Sequence, residues 1–329
     1  MKIYFGVDIG GTYIKYGAFL QGDTLLKKWS VPTDLSERGE RIIPAIAEEV
    51  KKYTETFSKE KEEPVEISGI GLGIPGPVTK DGFVKNCVNL HWNAFYPQQE
   101  LKKYFPKSKI CVENDANVAA LGEYYFGRGR NDEQVKNGKS EKECNCMMLV
   151  TLGTGVGGGI VLDGKILTSL RGMAGEIGHI SLDMKEKERC SCGNKGCLNQ
   201  IASATGMVRV MKRYLEETEE PSSLRNMKHF TAKEICDSAK EGDILAQKCV
   251  EYSMGLLGKG LAVCSHILDP DLFVIGGGVT NAGDVILNAI RKGYQKEIFL
   301  VEKGAEIRLS ELRGEAGMMG AYAMVREDV

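Results

Sequence analysis

A chain of 329 residues with 42% apolar side chains has material for two ordinary domains or one divided α/β unit with a sizeable core. Its 43 Lys and Arg stand against 45 Asp and Glu, and a net charge of -2 excludes the global basic field that nucleic acid or an anionic membrane would call for. The opening MKIYFGVDIGGT breaks its apolar run at Asp8, unlike a signal peptide, and no stretch reaches the roughly 18 apolar residues of a membrane helix, so a cytoplasmic protein with a small-molecule partner is expected.

Lys2 to Asp8 (KIYFGVD) is apolar and β-prone, and after Gly10 and Gly11 the run TYIKYGAFL alternates as a second strand. At the end of a buried strand, backbone amides of Gly10 and Gly11 and the Thr12 hydroxyl can approach a phosphate while Asp8 faces a hydrated Mg²⁺; a plain hairpin turn is the alternative. Arg41 to Phe57 has helical spacing, and VEISGIGLG from Val65 to Gly73 reads as a buried strand. Ile110 to Val112 leads into ENDANVAALGEYYF, a strand-to-helix step with Asn114 and Asp115 at the junction. An aspartate there either caps the helix or, beside a ligand, takes the proton of a hydroxyl during phosphoryl transfer. Asn131 to Asn145 is polar and charged, an exposed connection between two halves.

The second half opens as the first did. CMMLVTL runs from Cys146 into GTGVGGG and IVLDGKIL, which repeats the strand-glycine-strand unit and signals an internal duplication. Its turn, Gly153 to Gly159 with Thr154, pairs with the first turn as two clamps on one triphosphate. GEIGH places Glu176 and His179 three apart, on one face of a helical turn, where Glu176 either accepts hydrogen bonds from a sugar or is simply solvated. CSCGNKGC adds Cys190, Cys192 and Cys197 to His179, a complete tetrahedral Zn²⁺ set whose closed shell predicts a structural metal. The other cysteines, Cys144 and Cys146 of a C-x-C pair included, read as reduced thiols. Helices follow near Gly206 to Thr218, Thr231 to Glu241 and Ile244 to Leu268, with a loop at Pro221 to Leu224. The strand DLFVIGGG ends in Gly276, Gly277 and Gly278, which permit close approach to adenine or its ribose, or else make a tight turn. Helices from Asp284 and after Gly314 complete the chain.

Together DIGGT, GIPGPV, ENDANVAALGE, GTGVGGG, GEIGH and CSCGNKGC closely resemble the ROK family of sugar kinases and sugar-responsive repressors, its bacterial glucokinases above all, over nearly the whole chain. The resemblance implies an α/β, actin-like (ribonuclease-H-related) ATPase fold. A small domain over 1–118 and a larger one over 119–329, with zinc loop 179–197, would flank a ligand cleft, and a final helix at about 315–329 would pack back on the first. It implies ATP with Mg²⁺ as donor, Asp115 as catalytic base, sugar contacts from Asn114, Glu176, His179 and Asn199, and a pocket shaped by Gly76, Pro77 and Asn89. Asp8, Gly10, Gly11, Thr12, Lys15, Gly153, Thr154 and Gly155 would serve the nucleotide, and a homodimer or dimer of dimers is expected.

One position departs from the family pattern, which usually has glutamate two residues after the last zinc cysteine; here it is Asn199. A shorter, uncharged amide weakens a charge-assisted bond to the sugar by on the order of 1 kcal/mol. Glucose, phosphorylated at its 6-hydroxyl, stays the leading substrate, with fructose, mannose, allose and N-acetylated hexosamines such as N-acetylmannosamine open, and Gln200 stands nearby as a substitute contact. A sugar-responsive regulator would need a helix-turn-helix ahead of the sugar domain, for which Asp8 leaves no room. No basic track beside the glycine turns suggests polyphosphate as donor.

Overall fold

Alternation drives β1 (Lys2–Ile9) into the centre of a sheet, with Ile3, Phe5 and Val7 buried towards one face and Tyr4 towards the other. β1 pairs antiparallel with β2 (Tyr13–Leu20), which pairs antiparallel with β3 (Thr24–Pro32). On its other edge β1 runs parallel to β4 (Glu66–Ile74), and β4 parallel to β5 (Lys109–Asn114), giving the order β3-β2-β1-β4-β5. Ile42, Ile46 and Val50 of α1 (Ile42–Lys61) share a core with Phe5 and Val7 on one face. α2 (Pro97–Lys102) and α3 (Asp115–Phe126) flank β5 in sequence.

The opposite face of this sheet belongs to the end of the chain. Met318 and Tyr322 of the short C-terminal helix (Ala316–Ala323) pack with Tyr4 and Phe19, the rings of Phe19 and Tyr322 stacked 4.0 Å apart. Glycine makes this seat possible. A Cβ on Gly71 of β4 would lie 1.8 Å from the Ala321 carbonyl oxygen, and one on Gly320 would lie 1.6 Å from that of Val118 in α3. Both tryptophans of the chain belong to the core on the α1 side instead: Trp29 stacks on Tyr16 and Tyr53, and Trp92 donates its indole N–H to the Gly39 carbonyl at 2.8 Å.

The computed structural model describes residues 1–129, 144–168, 170, 172–299 and 304–327. It divides into a first unit of residues 1–130, 164–174 and 314–329 and a second of 131–163 and 175–313. Whereas a division at 118 was expected, the first unit keeps all of α3, which packs closely on the C-terminal helix through Gly122 and Gly320. Of the connection expected over 131–145, only its last two residues are described.

In the second unit β6 (Cys146–Leu152) pairs antiparallel with β7 (Val156–Leu162). The two-residue β8 (Lys165–Ile166) falls in the segment that clusters with the first unit. Parallel to β6 runs β9 (Leu272–Gly276), and parallel to that β10 (Glu306–Leu309). β7-β6-β9-β10 therefore repeats β2-β1-β4-β5, hairpin followed by parallel strands. The register repeats too: Asp8 lies opposite Gly73 as Thr151 lies opposite Gly276. Between them come α4 (Ala204–Glu217), α5 (Ala232–Lys240), α6 (Ile244–Leu268) and α7 (Asp284–Gln295), so the C-terminal helix is α8. No helix among the described residues is long and apolar enough to cross a membrane.

Candidate active site

In the first unit the end of β1 presents Asp8, and directly across the hairpin Lys15 holds its ammonium 3.8 Å from the carboxylate while donating to the Gly314 carbonyl at 2.7 Å. Burial pushes the Asp8 carboxyl above its ordinary range, and Lys15 opposes that shift. Gly317 in the first turn of α8 supplies the room: a Cβ there would come 2.7 Å from the carboxylate carbon. The glycine turn is partly self-satisfied. Gly10 donates its N–H to the Tyr13 carbonyl at 3.0 Å and accepts from the Thr33 hydroxyl at 2.7 Å, and Gly11 and Thr12 are exposed at its tip.

At the β5–α3 junction the cap is Asn114. Its carbonyl oxygen accepts from the Ala116 and Asn117 amides at 3.0 and 3.2 Å, closing the first turn. Its amide nitrogen donates to the Gly76 carbonyl at 3.0 Å and to the Asp115 carboxylate at 2.9 Å. The same Asp115 oxygen accepts the Ala116 N–H at 2.8 Å, so the side chain is oriented by two donors. Gly76, at φ +112, takes a conformation that glycine allows, and Pro77 beside it is exposed. Cys87 closes the loop from behind, donating its thiol to the Pro75 carbonyl. Burial first, then the Asp115 charge, pushes that thiol above its ordinary range. Asn89 is exposed on the following turn, its carbonyl oxygen facing Gly11. Glu113, buried beneath the junction, accepts from the Asn114 amide at 2.8 Å and the Asn117 side chain at 3.1 Å.

In the second unit the turn Gly153–Gly155 is exposed and is held from beneath. Ala204 donates its amide to the Gly153 carbonyl at 2.9 Å, and the Thr205 hydroxyl donates to the Thr154 carbonyl at 2.7 Å. Beside it opens a cavity of about 430 Å³, lined among others by Thr154, Ala204, Lys233, Gly278 and Asn281, within the size range of small-ligand pockets. The three glycines after β9 divide their roles. Gly276 is buried in the strand, Gly277 at φ +89 lies against the Leu152 backbone, and Gly278 alone of the three lines the cavity.

His179, Cys190, Cys192 and Cys197 converge, their ligand atoms all within 4.8 Å of one another. His179 Nδ1 stands 3.8 Å from Cys190 Sγ, and Cys192 Sγ 3.6 Å from Cys197 Sγ. A tetrahedral Zn²⁺ with bonds of about 2.0–2.3 Å has ligand-to-ligand edges of roughly 3.6–3.8 Å, so donor set and spacing both fit. Burial opposes ionisation of Cys190, yet hydrogen bonds from Cys192 and Ser191 bring it down to about 7; burial and the neighbouring thiols push Cys197 up to about 12. The loop is braced by Arg209 of α4, which pairs with buried Glu186 and, at 2.8 Å, with Glu188. Gln200 commits its amide to the same loop, accepting from Cys197 N–H at 3.3 Å and donating to the Glu188 carbonyl at 3.2 Å. Glu176 precedes the single turn Ile177–His179, and its carboxylate lies 4.0 Å from His179 Nε2, the ring nitrogen turned away from the thiols. Asn199 lies in the turn after Cys197, and its carbonyl oxygen accepts the Val156 N–H at 2.5 Å.

Sequence reasoning had no signal for Gly317, Cys87, Thr205 or Arg209. Each acts through a partner distant in sequence, and none sits in a spacing that marks it.

Comparison with known proteins places these features in one family. The model described as "ROK family" matches residues 4–328. A glucokinase of Halalkalibacterium halodurans is 38% identical over 98% of this chain and 95% of its own, and one of Thermotoga maritima is 30% identical over 98% and 97%. Among solved structures, a ROK family glucokinase from Streptomyces griseus in complex with glucose and AMPPNP shares 30% identity, with a TM-score of 0.73 over 98% of this chain and 99% of that one. The fold is accordingly the actin-like ATPase fold.

Proposed function

The chain belongs to the ROK family, and from that premise we propose that it is an ATP-dependent hexose kinase that transfers the γ-phosphoryl group to the 6-hydroxyl of glucose. The observation that carries the reading is the division of labour at the start of α3. Asn114 does the capping, so Asp115 serves as the base that accepts the sugar hydroxyl proton. Gly76, tied to Asn114, and Pro77 beside it shape the sugar's surroundings with Asn89. Glu176 and the Nε2 of His179 offer hydrogen bonds to sugar hydroxyls, and a metal held by His179 and the three cysteines would fix that ring.

For the nucleotide, the exposed turns at Gly11–Thr12 and Gly153–Gly155 offer backbone amides to phosphate oxygens, and the cavity beside Gly278 receives the base. Asp8, with Lys15 beside it, suits the water shell of Mg²⁺, which when bound neutralises phosphate charge. Zn²⁺ on His179 and the three cysteines is structural. A cytoplasmic location, where ATP is supplied, accords with this reading.

The test is ADP release across a panel of hexoses and N-acetylhexosamines, with Asp115→Asn as control. Glucose turnover should fall by about 10²–10⁴-fold in the variant while sugar binding persists. Near-normal turnover in the variant would overturn the assignment of the base. Preference for another sugar would correct the substrate but leave the reaction.

A further inference from the structure

We propose that Asn199 is a positioning residue for the nucleotide, a strut that fixes the Gly153–Gly155 turn to the metal-bound loop; the inference rests on the kinase reading above. Asn199 belongs to the single turn Leu198–Gln200 that follows Cys197, a thiol of the metal cluster that is fully buried. Its carbonyl oxygen accepts the N–H of Val156, the residue where the glycine turn re-enters the sheet as β7. A backbone donor fixes which end of the amide faces it, so the carbonyl end is turned towards the nucleotide turn.

The surroundings are built around that contact. A Cβ on Gly178 would lie 2.5 Å from the Asn199 oxygen, and one on Gly155 would lie 3.3 Å from it, so both glycines make room for the amide. The Ser203 hydroxyl donates to the Asn199 backbone carbonyl at 2.6 Å, and the next two residues, Ala204 and Thr205, hold the backbone carbonyls of Gly153 and Thr154. Three anchors of the turn thus come from the stretch 199–205, directly downstream of a metal ligand. Val156 is buried, and without an acceptor its N–H is left unsatisfied, which the turn can relieve only by shifting. A ligand on the tip of the turn then meets amides that are no longer aimed.

Two variants separate this role from a sugar contact. Asn199→Leu keeps volume and removes the acceptor; Asn199→Asp keeps an acceptor. The measurements are ADP affinity, glucose affinity, zinc content and amide exchange at Val156, each with and without a zinc chelator. In Asn199→Leu, with zinc retained, ADP should bind about tenfold more weakly, glucose affinity should stay within about twofold, and Val156 should exchange faster; Asn199→Asp should restore all three. Chelation of the unsubstituted protein should weaken ADP by a similar factor and add little to Asn199→Leu, since both break one strut.

Loss of glucose affinity with ADP unchanged would overturn the proposal in favour of a sugar contact. So would unchanged Val156 exchange, or losses from chelation and substitution that multiply. Absence of ADP binding to the unsubstituted protein would instead fell the kinase reading, a result distinct from any of these.

Discussion

Asp8 is held where burial disfavours its charge, and Lys15 beside it opposes that cost. A carboxyl whose pKa is raised on folding binds its proton more tightly in the folded state. Its stabilisation is full below the unfolded value and is lost as pH rises through the folded one. Asp8→Asn should therefore melt a few degrees above the unsubstituted protein at pH 7, with the gap closing towards pH 4, while kinase turnover falls. Thermal melts at the two pH values check the sign, and a variant less stable at pH 7 would mean that the Lys15 pair outweighs burial. The chemistry at this scale was partly legible. The order Asn114-Asp115 leaves open which of the two caps the helix, and the extended backbone of Asn114, at ψ 145, with the two amides its side chain accepts, makes it the cap. Gly317 was not legible, because its purpose is a carboxylate some three hundred positions upstream.

Among the elements, α8 sits unusually close to its neighbours, with its backbone against Gly71 of β4 and Val118 of α3. A side chain at Gly320 has nowhere to go. Gly320→Val should destabilise the first unit by more than about 3 kcal/mol through overpacking, measurable as a lowered midpoint in denaturant, whereas a substitution at exposed Gly22 that tolerates its positive φ, such as Gly22→Asn, should be far milder. The paired strands around each glycine turn, and α1, α3 and α4 to α7, were readable from period and caps. Three pieces were not. β3 (TLLKKWSVP) is half-exposed, and Lys27-Lys28 interrupts its alternation; α2 has only six residues; and β10, with four, is too short to show a period. The C-terminal helix was expected to run to about 329 but stops at Ala323, where turns take over.

For the molecule as a whole, the duplication gives each unit its own sheet, while the cluster of His179 and the three cysteines, among the described residues, lies in the second unit. Protein purified without chelator should carry about one zinc per chain. Its removal should lower the melting temperature and open the segment between His179 and Cys197 to protease, since Arg209 and Gln200 brace that loop but cannot close it. Fully folded, protease-resistant protein free of metal would refute this. Trp29 and Trp92 both lie in the first unit, so the protein carries its own optical label on one half. Indole emission during chemical unfolding follows that half alone, far-ultraviolet dichroism follows both, and the separation of the two midpoints measures how independently the duplicated halves come apart.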